Sequence, residues 1–158
     1  YLQKAAVYLR EAAEAGQVMA QRQLGNALYF AQVVPRDEPA AVEWWRKAAA
    51  QGDLESRYLT GEALAAGRGV TKDSAAALAE HRQAAERGHS GAMLRVAQAL
   101  ETGSGTAADP GGAAMWYSLA AQRGQTAATA SRDRIMGRLD GNARTEVETR
   151  LRAWRPTQ

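Results

Sequence analysis

The chain has no cysteine. Disulfides and thiolate metal sites are therefore excluded, while the compartment stays open. Histidine is almost absent too, with His81 and His89 the only two. They lack the i, i+4 spacing and the carboxylate company of a helical zinc site. Strand-forming residues are scarce beside alanine, which points to an all-α chain. No apolar run reaches the length of a membrane span, and no charged-then-apolar signal segment opens the sequence. The first residue is Tyr1 rather than Met, as in a processed or trimmed piece.

Patterns that carry catalysis are also missing. No serine or threonine lies in a nucleophile-elbow sequence. Gly67-Arg68-Gly69 and Gly103-Ser104-Gly105 resemble phosphate-binding loops only in their glycines. They have no preceding strand and no lysine where a phosphate cradle requires it, so they read as turns. Neither a catalytic residue, nor a cofactor, nor a metal site is expected, and the chain does not read as an enzyme. The formal net charge is +3. It is unevenly spread: residues 1–122 carry 12 basic and 13 acidic residues, and residues 123–158 carry 8 basic and 4 acidic. Arginine outnumbers lysine 17 to 3, which with the alanine excess suggests a GC-rich, bacterial genome.

What the sequence does contain is a period. Gly16, Gly52, Gly88 and Gly124 recur every 36 residues, each after an alanine pair. Asp37, Asp73 and Asp109 keep the same interval, as do Ala5, Ala41, Ala77 and Ala113. Such self-similarity marks a stacked repeat array. Within one period, Ala20, Leu24, Ala27, Leu28 and Ala31 sit at helical spacing and define a first helix, A. Pro35 ends it, and Asp37 is placed to cap a second helix, B, by accepting a backbone N–H. Helix B carries Ala41, Trp44, Trp45, Ala48 and Ala49, and Gly52 closes it in a left-handed turn. Asp109-Pro110 repeats this logic as N-cap and first helical residue. Capping explains the three aspartates; one repeat apart, they cannot pair as acid and base. The small slots (Gly25, Gly61 and Ala97 on A; Ala48, Ala84 and Ala120 on B) allow close helix approach.

These residues resemble the Sel-one-like repeat (SLR) family, relatives of the tetratricopeptide repeats. Leu24-Gly25, Val34, Asp37, Ala41, Trp44-Trp45, Lys47-Ala48-Ala49 and Gln51-Gly52 match the family pattern. Gly67-Arg68-Gly69-Val70 with Asp73, and Trp116-Tyr117 with Ala120-Ala121 and Gly124, match it again. The resemblance implies an α/α solenoid of stacked antiparallel helix pairs. The expected organisation is a single repeat domain over 1–158. It has a partial unit at 1–16, full units at 17–52, 53–88 and 89–124, and a final A-type helix with a capping helix over 125–158. Glu80-His81 departs from the aromatic pair; His81, in the slot of Trp45 and Tyr117, is expected to pack. His89 is expected to be solvated in its turn. Leu139 to Trp154 reads as the cap, with Ala143, Val147, Leu151 and Trp154 on one face.

The resemblance further implies an adaptor or regulator that holds another protein or peptide, with a periplasmic or cell-envelope location. In tetratricopeptide-like stacks helix A lines the concave side. The side chains expected there are Met19, Arg22, Asn26, Tyr29 and Phe30, then Tyr58 and Glu62, then Leu94 and Gln98. Tyr29 and Phe30 could instead pack against the next helix. The alternative site is the basic end, Arg132 to Arg155, for an envelope polysaccharide or another polyanion. Interleaved acids and the lack of a stacking platform argue for a solvated cap, and no nucleic acid is expected. The oligomeric state is left open.

Overall fold

The computed structural model describes residues 1–158 and contains nine helices and no strand. In order they are α1 (Leu2–Glu14), α2 (Val18–Phe30), α3 (Glu38–Ala50), α4 (Leu54–Ala66), α5 (Ser74–Glu86), α6 (Ser90–Thr102), α7 (Pro110–Gln122), α8 (Ala127–Met136) and α9 (Gly141–Ala153). The fold class is the α/α repeat solenoid. Its elements gather into two compact units, residues 1–73 and residues 74–158.

Helix ends fall where the repeat places its stop and start residues. Gly16, Gly52, Gly88 and Gly124 all have φ between 92° and 103°, the left-handed region open to glycine. Asp37 accepts from Ala40 N–H at 3.1 Å, and Asp109 accepts from Gly112 N–H at 3.0 Å. Asp73 stands immediately before α5. Caps also form at positions with no prior expectation. Asp53 accepts from Ser56 N–H at 3.0 Å and Asp140 from Ala143 N–H at 2.8 Å. His89 departs from the expected solvated turn: its Nδ1 accepts from Ala92 N–H at 3.0 Å and caps α6. His89 lies one period after Asp53, and in these two repeats the residue behind the C-terminal glycine caps the next helix.

Ala31 is a second departure. It does not extend the apolar face of α2 but ends the helix at φ 54°, with its N–H bonded to Ala27 C=O. Gly67 and Gly103, at the same slot, end α4 and α6 at φ 69° and 75°. Val33 likewise has φ 68°, where the later loops use Gly69 and Gly105.

In the first unit α1 packs on α2, α2 on α3 and α3 on α4. The core joins Leu24, Leu28 and Tyr29 to Ala41, Val42, Trp45 and Ala63. Gly25 makes the α2–α3 approach possible, because a Cβ there would lie 2.5 Å from the Trp45 ring. On α1, Ala5, Leu9 and Ala12 hold the slots that Ala41, Trp45 and Ala48 fill on α3. The α3 residues are buried, whereas Ala5 is exposed and Leu9 and Ala12 are half-buried.

In the second unit α5 packs on α6, and α6, α8 and α9 all pack on α7. This sheathing buries every residue of α7 from Gly112 to Ala120. His81 is buried on α5, as its slot predicts. The α9 face seats Val147 in the core. The Trp154 ring meets Trp116 edge-on at 6.3 Å, with the Arg123 guanidinium 4.7 Å from its centre. Thr157 N–H donates to Glu86 C=O at 2.8 Å and ties the C-terminal tail to the end of α5.

Candidate functional site

The expected partner-facing side chains divide by environment. On α2, Met19 and Phe30 are exposed, at 53% and 50%. Between them the helix turns inward. Tyr29 is 7% exposed, and its ring packs at 4.8 Å on Trp45 and at 5.1 Å, edge-on, on Phe30. Tyr29 therefore belongs to the core and its ring is closed to a partner. The physical reason is a neighbour from the next repeat. Arg68 lies 4.5 Å over the Tyr29 ring and donates through Nε to Glu38 at 3.2 Å. Burial raises the Tyr29 phenol above its ordinary value, with the Arg68 charge opposing. The hydrogen bond to Glu38 raises the Arg68 guanidinium further.

Arg22 and Asn26 also work inside the fold. Arg22 donates to Asp53 at 3.1 Å and to the Met19 sulfur at 3.2 Å. This ion pair joins α2 to the cap of α4. Asn26 Oδ1 accepts from Trp45 Nε1–H at 3.0 Å, satisfying an indole that is otherwise buried. On α4, Tyr58 and Glu62 are half-buried. In the second unit, Leu94 and Gln98 are half-buried on α6, and Gln98 Oε1 accepts from Arg95 at 3.0 Å.

Two polar clusters escaped the sequence reading. Gln51 donates to Gln21 Oε1 at 2.8 Å and to Gly16 C=O at 3.0 Å, while Gln21 donates to Ala13 C=O at 3.2 Å. The Gln51-Gly52 pair of the repeat pattern was the available signal. In the second unit, Tyr117 O–H donates to Glu101 at 2.8 Å, and Arg134 pairs with the other carboxylate oxygen. The Arg134 hydrogen bond holds the Glu101 carboxyl below its usual range, and burial pushes the Tyr117 phenol up to about 12. Nothing in the spacing of 101, 117 and 134 marks this cluster, because three different helices supply it.

Much of the basic end is engaged within the chain. Arg134 holds Glu101, Arg132 pairs with Asp133, and Arg144 donates to Met136 C=O at 2.8 Å. Arg155 donates to Arg152 and Trp154 carbonyls, and Arg123 covers Trp154. No three His, Asp or Glu side chains lie close enough to hold a metal ion. No helix is long and apolar enough to cross a membrane.

Comparison with known proteins places this geometry among others. The family model described as Sel1 repeat matches residues 2–17, 18–53, 54–89 and 90–125. A solved structure of c5321, a protective antigen in uropathogenic Escherichia coli strains displaying an SLR fold, is 32% identical with a TM-score of 0.85. The match covers 95% of this chain and 32% of that one. A Sel1 repeat protein from Oxalobacter formigenes is 28% identical with a TM-score of 0.79, over 97% of this chain and 64% of that one. This chain thus spans less than two thirds of either relative's length. No curated protein matches it.

Proposed function

The chain belongs to the Sel1 repeat family, and on that premise we propose that it is a protein-binding module whose A helices face the partner. The observation that carries the reading is on α2. Its inner face is buried in full through Leu24, Gly25 and Leu28, yet Met19 and Phe30 stand half exposed on the same helix. Exposed apolar and aromatic side chains on a rigid scaffold are the usual anchors of a protein interface. Tyr58 and Glu62 on α4, and Leu94 and Gln98 on α6, extend the reading to the other A helices. Arg22, Asn26 and Tyr29 serve it from within by holding α2 in place. The module acts as an adaptor or regulator, in the periplasm or cell envelope of a bacterium.

The polyanion alternative draws less support, because Arg123, Arg132, Arg134, Arg144 and Arg155 already serve the fold. The two readings differ in salt dependence. A partner held by apolar anchors should bind with little change between low and physiological salt. A polyanion should lose affinity steeply. The test is affinity capture from the source bacterium with identification of the bound species. Wild type is compared with Met19→Ser plus Phe30→Ser, and with Arg138→Gln plus Arg150→Gln. Loss of a protein partner in the first variant, at constant salt response, supports the reading. Loss only in the second, with steep salt dependence, overturns it.

A further inference from the structure

Helix α9 is held to the fold by little along its own length. Of its 13 residues only Val147 is buried, whereas α7 beneath it is buried from Gly112 to Ala120. A helix this short is marginal in water unless it packs. Thr145 and Thr149 turn their hydroxyls back on the carbonyls of Gly141 and Thr145, both at 2.9 Å, a bond that slightly weakens a helix. Packing is open at the N-terminal end of α9. Cavities of about 210 and 230 Å³ adjoin Pro110 and Leu139, where the bend from α8 meets the start of α7. Gly137 and Gly141 flank that bend. Across it Arg144 donates to Met136 C=O at 2.8 Å from an exposed position.

The firm attachment lies beyond the helix. Trp154, just past Ala153, sets its ring edge-on against Trp116 at 6.3 Å, and the Arg123 guanidinium covers it at 4.7 Å. Thr157 then donates to Glu86 C=O twice, from its N–H at 2.8 Å and from Oγ1 at 3.3 Å. Glu86 is the last residue of α5, so the chain crosses from α9 past α7 to a helix end 71 residues back. Under this cover Trp116 is 4% exposed. Trp44, at the same slot of α3, has Lys47 over its ring at 4.3 Å and stays half-buried. A lightly packed helix with a glycine-flanked bend at one end and an anchor at the other has the form of a strap. We propose that α9 and residues 154–157 open and close over α7 as one unit, with 137–140 as hinge and Trp154 and Thr157 as latch. Few buried apolar contacts place such a unit at the low end of local stability, so it opens while α6 and α7 stay folded. Closed, it keeps the Trp116 ring from any partner; open, it uncovers that ring. The device goes beyond the protein-binding reading and stands without it.

Native-state hydrogen exchange on the full chain tests this. The α9 amides and the Thr157 N–H should share one level of protection, about a hundredfold or more below that of α6 and α7. Trp154→Ala should lower the protection of α9 and Thr157 together, by about tenfold or more. Trp154→Phe, which keeps a ring against Trp116, should fall between. Val96 is fully buried on α6, so Val96→Ala should lower the protection of α6 and α7 about tenfold. It should leave α9 unchanged, because the strap opens without disturbing that core. Three results would overturn the strap: α9 as well protected as α7, α9 falling in step with α6 in Val96→Ala, or Thr157 staying protected while α9 exchanges. An α9 indifferent to Trp154→Ala would overturn the latch and the proposal with it. Should Trp154→Ala not fold, Trp154→Phe decides the latch and Val96→Ala the strap.

Discussion

Replacing Ala31 with glycine should make this protein more stable. Ala31 is exposed and sits at φ 54°, ending α2 in the left-handed region. An L-residue pays roughly 1–2 kcal/mol there through the clash of Cβ with the following carbonyl. Glycine removes that penalty but loses more backbone freedom on folding, about 0.5–1 kcal/mol relative to alanine. The Ala31 methyl faces solvent, so its removal leaves no cavity. The difference of the central values is a net gain of about 0.75 kcal/mol. Gly103 supplies the mirror experiment. It has φ 75°, and a Cβ built there meets nothing closer than Thr106 C=O at 3.4 Å. Gly103→Ala should therefore lose about what Ala31→Gly gains, through φ alone. Gly69→Ala is the steric control, because its Cβ would lie 2.5 Å from Glu38 C=O, a backbone atom. It should cost on the order of 2–4 kcal/mol from overpacking and backbone conformation together. Urea denaturation followed by circular dichroism reads all three, with the slope checked for a single transition in a repeat array. For a chain of this size the Ala31→Gly gain amounts to a rise of roughly 1–4 °C in Tm. A destabilised Ala31→Gly, or a neutral Gly103→Ala, would refute the reasoning.

Further tests probe packing, caps and charge. Gly25→Ala should cost about 1–3 kcal/mol and weaken the Trp45–Asn26 hydrogen bond, measurable as a change in tryptophan emission together with the denaturation midpoint. His89→Ala should cost on the order of 1 kcal/mol through loss of the α6 cap, and His89→Asp should restore it; equal loss in both would remove the capping role. The Glu101 carboxyl is held low, so its contribution is present above the ordinary carboxylate range and is lost as pH falls through the depressed value. Glu101→Gln should flatten that acid limb of a stability–pH profile. Tyr117 is raised to about 12, so its contribution is whole below the ordinary phenol value near 10 and lost as pH climbs towards 12; Tyr117→Phe should abolish that alkaline fall.

Sequence alone determined the helix pairs, most of their ends and most of the core. The reason is that those demands are local and recur. Each helix B ends where only glycine is at ease in a left-handed turn, as Gly52 and Gly124 show. Asp37 and Asp109 each cap the helix that begins beside them. Ala48, Ala84 and Ala120 are buried because close axes leave room for nothing larger. A requirement written three or four times at one spacing can be read without coordinates. The surface was decided by tertiary structure. Tyr29 and Phe30 are adjacent in one pattern, yet one is core and the other half exposed, because Arg68 arrives from the following loop and covers only Tyr29. Glu101, Tyr117 and Arg134 meet only because α6 and α8 both pack on α7. Ala31 and Val33 read as ordinary small and apolar residues. Only the backbone shows that they occupy glycine's conformation, because hydrogen bonds to Ala27 and Leu28 hold the loop in the shape its sister loops share.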